Sequence, residues 1–166
     1  MNSQDTISAV EFKNAMSRIS YSVSVVSITV EGTTYAKTIN TLTPVSADDP
    51  SILISLFHAS EITQKIIEAR RFVVSVLNDS QMSLAEEFAG RPPQDPPVET
   101  PSNNEQANHL LITNAVATFH CTVAVAMTHA THVILIGRIN DIAGSDRLPL
   151  LHHRRAYRVC AEQVVA

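Results

Sequence analysis

Between Ala115 and Met127 the chain alternates with a strict period of two. Ala115, Ala117, Phe119, Cys121, Val123, Val125 and Met127 fall on one face, and Thr118, His120 and Thr122 on the other. That is the side-chain repeat of an extended strand, so the stretch reads as one long strand with a single apolar face. His132–Ile142 is apolar on both faces at its centre, and a turn through Thr128–Thr131 joins the two as a hairpin. A chain that contains such a hairpin must find further strands to cover it.

The rest of the sequence supplies them. Apolar residues at Val10, Phe12, Ala15, Met16 and Ile19 give Ser8–Ser20 a helical spacing. Tyr21–Val30 reads as a strand whose apolar parity changes from Tyr21, Val23 and Val25 to Val26, Ile28 and Val30, which predicts a β-bulge near Val25–Val26. Glu31-Gly32-Thr33 is a turn, and Thr34–Thr43 and Ser51–Phe57 are the next strands. Ser60–Ala69 carries Ile62, Ile66 and Ile67 on one helical face, and Phe72–Leu77 is a buried strand. Ser80–Phe88 reads as a helix with Ser80 as N-cap and Gly90 as its stop. Residues 91–108 hold five prolines and read as an excursion loop within one domain, 1–166, because strand follows again. Leu148–Val165 ends the domain. About six strands and three short helices, with no βαβ alternation, predict a mainly β fold: an antiparallel barrel or sandwich with helices at its ends.

Composition narrows the function. A net charge of −4 opposes general nucleic-acid binding, which needs a basic face. The two cysteines, Cys121 and Cys160, have no metal-type spacing and no disulfide framework. Met1–Ser8 lacks an apolar leader core and the longest apolar runs are too short to span a bilayer, so the expected location is cytoplasmic, with no membrane partner. A charged content of 17% is low for a short chain and suggests that a partner covers some surface, as in a homodimer.

Four glycines, at 32, 90, 137 and 144, permit neither a G-x-G-x-x-G fingerprint nor a Walker loop. The seven histidines show no ligand spacing, so no metal site is expected. Two segments are candidates for ligand contact. Ser60-Glu61-Ile62-Thr63 opens a helix, where free N–H groups and hydroxyls suit a phosphate; plain N-capping explains the same residues. Thr38–Ser46 is a hydroxyl-rich strand end restrained by Pro44, a platform for a planar polar ligand or simply an exposed face.

Several segments, in order, resemble the flavin reductase family. Phe12-Lys13-Asn14-Ala15-Met16-Ser17-Arg18 looks like its opening, and the run from Thr38 to Pro50 is similar to its T-x-N-S-x-x-S-V-S-x-D-P-P element. Phe57-His58-Ala59-Ser60 with Thr63 resembles its phosphate-binding turn, and Phe72–Leu77 with Phe88-Ala89-Gly90 its next strand and helix. His132 through Ile139 resembles its late H-x-x-x-x-G-x-V strand, and Leu148–Leu151 with Arg154–Arg158 its C-terminal signature. The resemblance implies an FMN-binding split β-barrel of Greek-key type, a homodimer, and hydride transfer from NADH or NADPH to FMN or FAD. The reduced flavin would serve a partner monooxygenase. It further implies flavin contacts at Thr38, Ile39, Asn40, Thr41, Ser46, Ala47, His58, Ser60, Thr63, Phe88, Ala89 and Gly90. His132, as the catalytic-site residue, Arg154, Arg155 and Tyr157 would lie on the nicotinamide side. A non-catalytic flavin- or haem-binding module is the alternative. Three positions depart from the family: Asp49 replaces the first proline of a usual pair, Ala130-Thr131 precede His132 without an acidic residue, and His152-His153 stand where Tyr-Gly is usual.

Overall fold

A computed structural model describes residues 7–91, 102–104 and 109–160. In chain order they form α1 (Ala9–Met16), β1 (Tyr21–Ser22), β2 (Ser24–Val30), β3 (Thr33–Ile39), β4 (Thr43–Ser46), β5 (Ser51–Phe57), α2 (Glu61–Ala69), β6 (Arg71–Val76), α3 (Met82–Phe88), β7 (Ser102–Asn104), β8 (His109–Leu111), β9 (Ala117–His129), β10 (His132–Gly144), β11 (Leu150–His153) and β12 (Ala156–Val159). Seven strands pair antiparallel in the order β3-β2-β6-β9-β10-β5-β4; a smaller sheet has the order β1-β11-β12, and β7 pairs with β8. Apart from Arg91 and β7, the expected 91–108 excursion lies outside the described residues, as does the end of the tail beyond Cys160.

β3 and β4 are the two edges of the seven-stranded sheet, yet only Asn40–Leu42 separate them in the chain. In a flat sheet those edges would stand about 29 Å apart. The four peptide steps from Ile39 to Thr43 reach about 14 Å. The sheet must therefore curl until its edges face each other, which makes a barrel split along the β3–β4 seam. The expected strand Thr34–Thr43 is interrupted at this seam, because its two halves belong to opposite edges.

The barrel interior holds Val26, Ile28, Ile54, Leu56, Phe72, Val74 and Leu135, and Ile62 and Ile66 of α2 join them. A second cluster lies outside it, where Val23 and Val25 meet Leu77, Leu84, Ala85 and Leu150. β2 is thus buried on both faces, and the parity change read as a bulge has this cause. Its pairing with β3 runs unbroken from Ser24↔Ile39 to Val30↔Thr33, with no bulge at Val25–Val26. Tyr21, meanwhile, belongs to the smaller sheet.

The bulges lie elsewhere. Between β9 and β10, Ile136 faces Val125 while Gly137 faces Val123, so Ala124 is extra. Val123 is held there by Arg70: its N–H donates to the Arg70 carbonyl at 2.9 Å, and its own carbonyl accepts from the Arg70 guanidinium at 2.6 Å. Beyond the bulge the strand reverses faces, which leaves Val125 and Met127 46% and 53% exposed rather than in the core expected from strict alternation. Likewise, Ser80 is not the N-cap of α3. Its hydroxyl and N–H donate to the Asn78 carboxamide oxygen at 2.7 and 2.8 Å, and Gln81 holds the cap position. α1 is shorter than Ser8–Ser20; Ser8 caps it in a reciprocal capping box with Glu11.

Gly137 follows from packing. A Cβ there would overlap the Phe72 ring and come within 2.9 Å of the Cys121 Cβ. Burial also pushes the Cys121 thiol up to about 12, which leaves it unreactive in the folded chain. Gly137→Ala is expected to destabilise the fold by about 1–3 kcal/mol through overpacking. Urea unfolding measures this, and an unchanged midpoint would mean that Phe72 can move aside.

Candidate functional site

The seam that closes the barrel also shapes its clefts. On the N-terminal side of Thr43 the pairing with β5 ends, and a side chain substitutes for the missing strand. The Thr41 hydroxyl donates to the Ser55 carbonyl at 3.2 Å and accepts from the Ser55 N–H at 3.1 Å. On the other edge, the Thr38 hydroxyl donates to the Ala85 carbonyl of α3 at 2.8 Å. Asn40 is left exposed between these two anchors.

Asn40 and His152 line two adjoining clefts. The larger, of about 740 Å³, is walled by Phe12, Lys13 and Met16 of α1, by Thr41 and Ser55 across the seam, and by Arg155. The smaller, of about 190 Å³, is walled by Thr38, Ala89, Arg91 and Tyr157. Lys13, Arg91 and Arg155 bring three cations to these walls, and among the described residues no carboxylate lines either cleft, in a chain of net charge −4. Such a trench suits a ligand with a planar ring and anionic groups.

Each wall has a local cause. Tyr21, His152 and Tyr157 stand opposite one another across β1, β11 and β12, so they form one rank. The His152 and Tyr157 rings meet edge to face, with centroids 5.8 Å apart. Burial, followed by the nearby Arg91 charge, holds the His152 imidazole below its usual range. The Tyr157 phenol is raised, chiefly by burial; Arg91 opposes that shift and Glu86 adds to it. Between β11 and β12, Arg154 and Arg155 form a two-residue turn with φ of 50° and 62°. That geometry normally selects Asn-Gly, so the arginines hold it under strain. The turn is docked: the Arg154 N–H donates to the Ser17 carbonyl at 2.7 Å, and the Arg155 guanidinium to the Asn14 side-chain oxygen at 2.7 Å. These bonds help hold α1, which buries none of its own residues, against the larger cleft.

A second group sits farther along β5, about 7 Å beyond Ser55 for two strand residues. Here Phe57 packs against His58 and His132, with ring centroids 5.2 and 6.0 Å away. Ser60 has N-cap backbone angles but makes no side-chain cap. Its hydroxyl lies 2.7 Å from that of Thr63, and both reach the Phe57 carbonyl, at 3.0 and 2.9 Å. Each hydroxyl has one proton, so one of them donates to the carbonyl and the other to its neighbour. Thr63 is fully buried. The His58 Nδ1–H donates to the Thr131 carbonyl at 3.0 Å, and the exposed His132 ring lies 2.9 Å from the Thr131 hydroxyl.

The expected site residues therefore form two groups joined by the outer edge of β5. Thr38, Ile39, Asn40, Thr41, Ala89, Arg155 and Tyr157 line the clefts. His58, Ser60, Thr63 and His132 gather around Phe57. Ser46 and Ala47 are in neither group, since β4 runs away from the clefts and pairs Ser46 with Ser51. Phe88 packs against the second cluster, Gly90 ends α3, and the Arg154 side chain lines neither cleft. The sequence reading did not identify His152, Arg91, Lys13, Tyr21 or Ser55 as cleft residues. Only His152 carried a signal, as a departure from the family pattern. Among the described residues no histidine, cysteine or carboxylate cluster could hold a metal.

Thr41→Val keeps the shape of the side chain but leaves the Ser55 N–H and carbonyl without their partner. It is expected to cost about 1–3 kcal/mol, read by urea unfolding, with Thr41→Ser restoring most of the loss. A Val variant as stable as the parent would show that water replaces the hydroxyl.

Similarity to known proteins agrees with this geometry. Residues 16–161 match the flavin reductase like domain family. The chain is 32% identical over 155 residues to an NADH-dependent FMN reductase of Streptomyces nodosus subsp. asukaensis, spanning 89% of this chain and 82% of that one. It is 28% identical over 154 residues to the reductase component of an FADH(2)-dependent resorcinol hydroxylase of Rhizobium sp. (strain MTP-10005), spanning 88% and 84%. It superposes on the flavin reductase PheA2 in its native state with a TM-score of 0.84 at 25% identity, over 94% of this chain and 100% of the other. The fold is shared with the Streptomyces globisporus NADH:FAD oxidoreductase solved with NAD and FAD fragments, at a TM-score of 0.82 and 24% identity over 93% of this chain and 94% of that one. With a family match from Met16 to Ala161 and a split barrel built around a cation-lined trench, this chain belongs to the flavin reductase like domain family.

Proposed function

We propose that the chain is an NAD(P)H-dependent flavin reductase that takes FMN or FAD and passes reduced flavin to a partner monooxygenase. The observation that carries this reading is the trench itself. Two directions lead from Asn40: one along the outer face of β5, past Ser55 and the exposed Phe57, toward Ser60, and the other across His152 toward Arg91. The residues fit a pair of planar, phosphate-bearing ligands: both clefts have polar groups at their rims, and among the described residues three cations and no carboxylate line them. Bound flavin would supply the hydride acceptor, and the nicotinamide the donor. The chain's own residues then act by binding and orientation.

On this reading Asn40 and Thr38 meet the flavin ring, and the start of α2 meets its phosphate. Both hydroxyl protons are used within this cluster, and the Ser60 and Thr63 N–H groups donate to the Phe57 and Ser60 carbonyls, so the N–H groups of Glu61 and Ile62 at the start of α2 are the main phosphate donors. His132, exposed and edge-on to Phe57, lies beside the start of α2 on the flavin side, so it acts by position and is not an obligatory proton donor.

Two surfaces suggest partners. Phe57, Val125 and Met127, each 44–53% exposed, lie on one outer face of β5, β10 and β9. Val10 and Phe12 of α1 are 66% and 60% exposed. Apolar exposure of this kind supports a homodimer. Sedimentation at micromolar concentration is expected to give twice the mass of one 18.1 kDa chain. A single-chain mass would contradict it.

The direct test of activity is the visible spectrum of added flavin under anaerobic conditions. NADH or NADPH is expected to bleach it with the protein present and not without it. His132→Ala should lower the rate about ten- to a hundredfold, as loss of one positioning interaction does. Flavin that binds and stays oxidised would identify a non-catalytic binding module.

A further inference from the structure

Arg91 owes its place to the end of α3. The Gly90 N–H donates to the Glu87 carbonyl at 3.0 Å, and the Arg91 N–H donates to the Glu86 carbonyl at 2.9 Å. With Gly90 at a φ of 74°, these two bonds form a Schellman motif, which fixes the backbone of the residue that follows the glycine. They hold Arg91 at the smaller cleft, where it shares the wall with His152 and Tyr157. Its positive charge acts on both of these rings.

We propose that Arg91 and His152 bind the hydride donor: its planar base rests against the His152–Tyr157 rank, and its pyrophosphate is held by Arg91. The inference rests on the reductase reading above. On that reading the flavin takes the direction along β5, with its phosphate at the start of α2. The other direction keeps an aromatic wall, its two rings edge to face, and a cation whose backbone is fixed, and both suit a nicotinamide dinucleotide. Guanidinium groups bind pyrophosphate through charge-assisted, forked hydrogen bonds, and aromatic rings accept planar bases.

The charged and titratable groups facing His152 are Arg91 after α3, Tyr157 on β12, Tyr21 on β1, Arg155 in the turn and Lys13 on α1; Glu86 acts on Tyr157. In the free protein burial, and then the Arg91 charge, hold the His152 imidazole below its usual range. A bound pyrophosphate offsets the Arg91 charge and favours the imidazolium, so donor binding is coupled to proton uptake by His152 in acid.

The test is calorimetric titration of NAD+ into flavin-saturated protein, with flavin affinity measured separately by fluorescence. Arg91→Gln lies at an exposed position and is expected to weaken NAD+ about ten- to a hundredfold, with flavin affinity unchanged. His152→Phe keeps the aromatic wall, so it should bind NAD+ within about threefold of wild type at pH 8. It should also lose the proton uptake seen in acid. His152→Ala should weaken binding at every pH. NAD+ affinity unchanged in both Arg91→Gln and His152→Ala would overturn the proposal while leaving flavin reduction intact. A loss confined to flavin affinity would also overturn it by assigning this arm to the flavin. Wild-type protein that binds flavin but no NAD+ overturns it too. The reductase reading fails separately, if flavin never bleaches.

Discussion

Asn40–Leu42 is the constraint on which the rest depends. Three residues join opposite edges of a seven-stranded sheet, and the sheet can satisfy them only by curling shut. A curled sheet with a short link leaves the edge of β5 unpaired just past Thr43. The Thr41 hydroxyl fills that gap by bonding both Ser55 backbone groups. The same contact turns Asn40 outward, to where α1, α3 and the smaller sheet converge. Fold closure and site formation are therefore one event. A residue that stabilises the seam, such as Thr41, shapes the clefts without offering its hydroxyl to a ligand.

Around that point the chain collects positive charge against its overall sign. Lys13, Arg91 and Arg155 come from a helix, a helix end and a strained turn, so no single segment is basic. The strain in Arg154 and Arg155 is offset by their bonds to Ser17 and Asn14, which anchor α1 against the larger cleft. α1 is the least embedded helix, with no buried residue, whereas Ile62 and Ile66 of α2 enter the barrel. The α1 wall of the larger cleft is thus held mainly by these turn contacts, whereas α2 is anchored in the barrel. That arrangement suits an acceptor ligand that must leave after reduction.

Local patterns made much of this legible before the structure. The hairpin of β9 and β10, buried β6, the helix of Ser60–Ala69 and the stop at Gly90 were all readable from periodicity and caps. Failures came where a second partner overrode the local pattern. Strict alternation in Ala115–Met127 said nothing of the bulge at Ala124, because Arg70 imposes it from elsewhere. The parity change in Tyr21–Val30 was real, but it recorded two-sided burial of β2, with Val25 in one cluster and Val26 in the other. In the site, the hydroxyl-rich run was legible as polar strand end, while the rank of Tyr21, His152 and Tyr157 was not. Those residues meet only through the register of a three-stranded sheet drawn from both ends of the chain. Ser46 and Ala47 looked contiguous with Asn40 in sequence, but the antiparallel run of β4 carries them away.

The central claim is that two arms meet at Asn40 and are filled by different ligands. The most direct measurement is flavin affinity, followed by fluorescence, with and without saturating NAD+. The account predicts a ternary complex, with flavin affinity unchanged or strengthened as NAD+ fills the second arm. Flavin displaced in proportion to NAD+ would mean that both compete for one cleft and would contradict it.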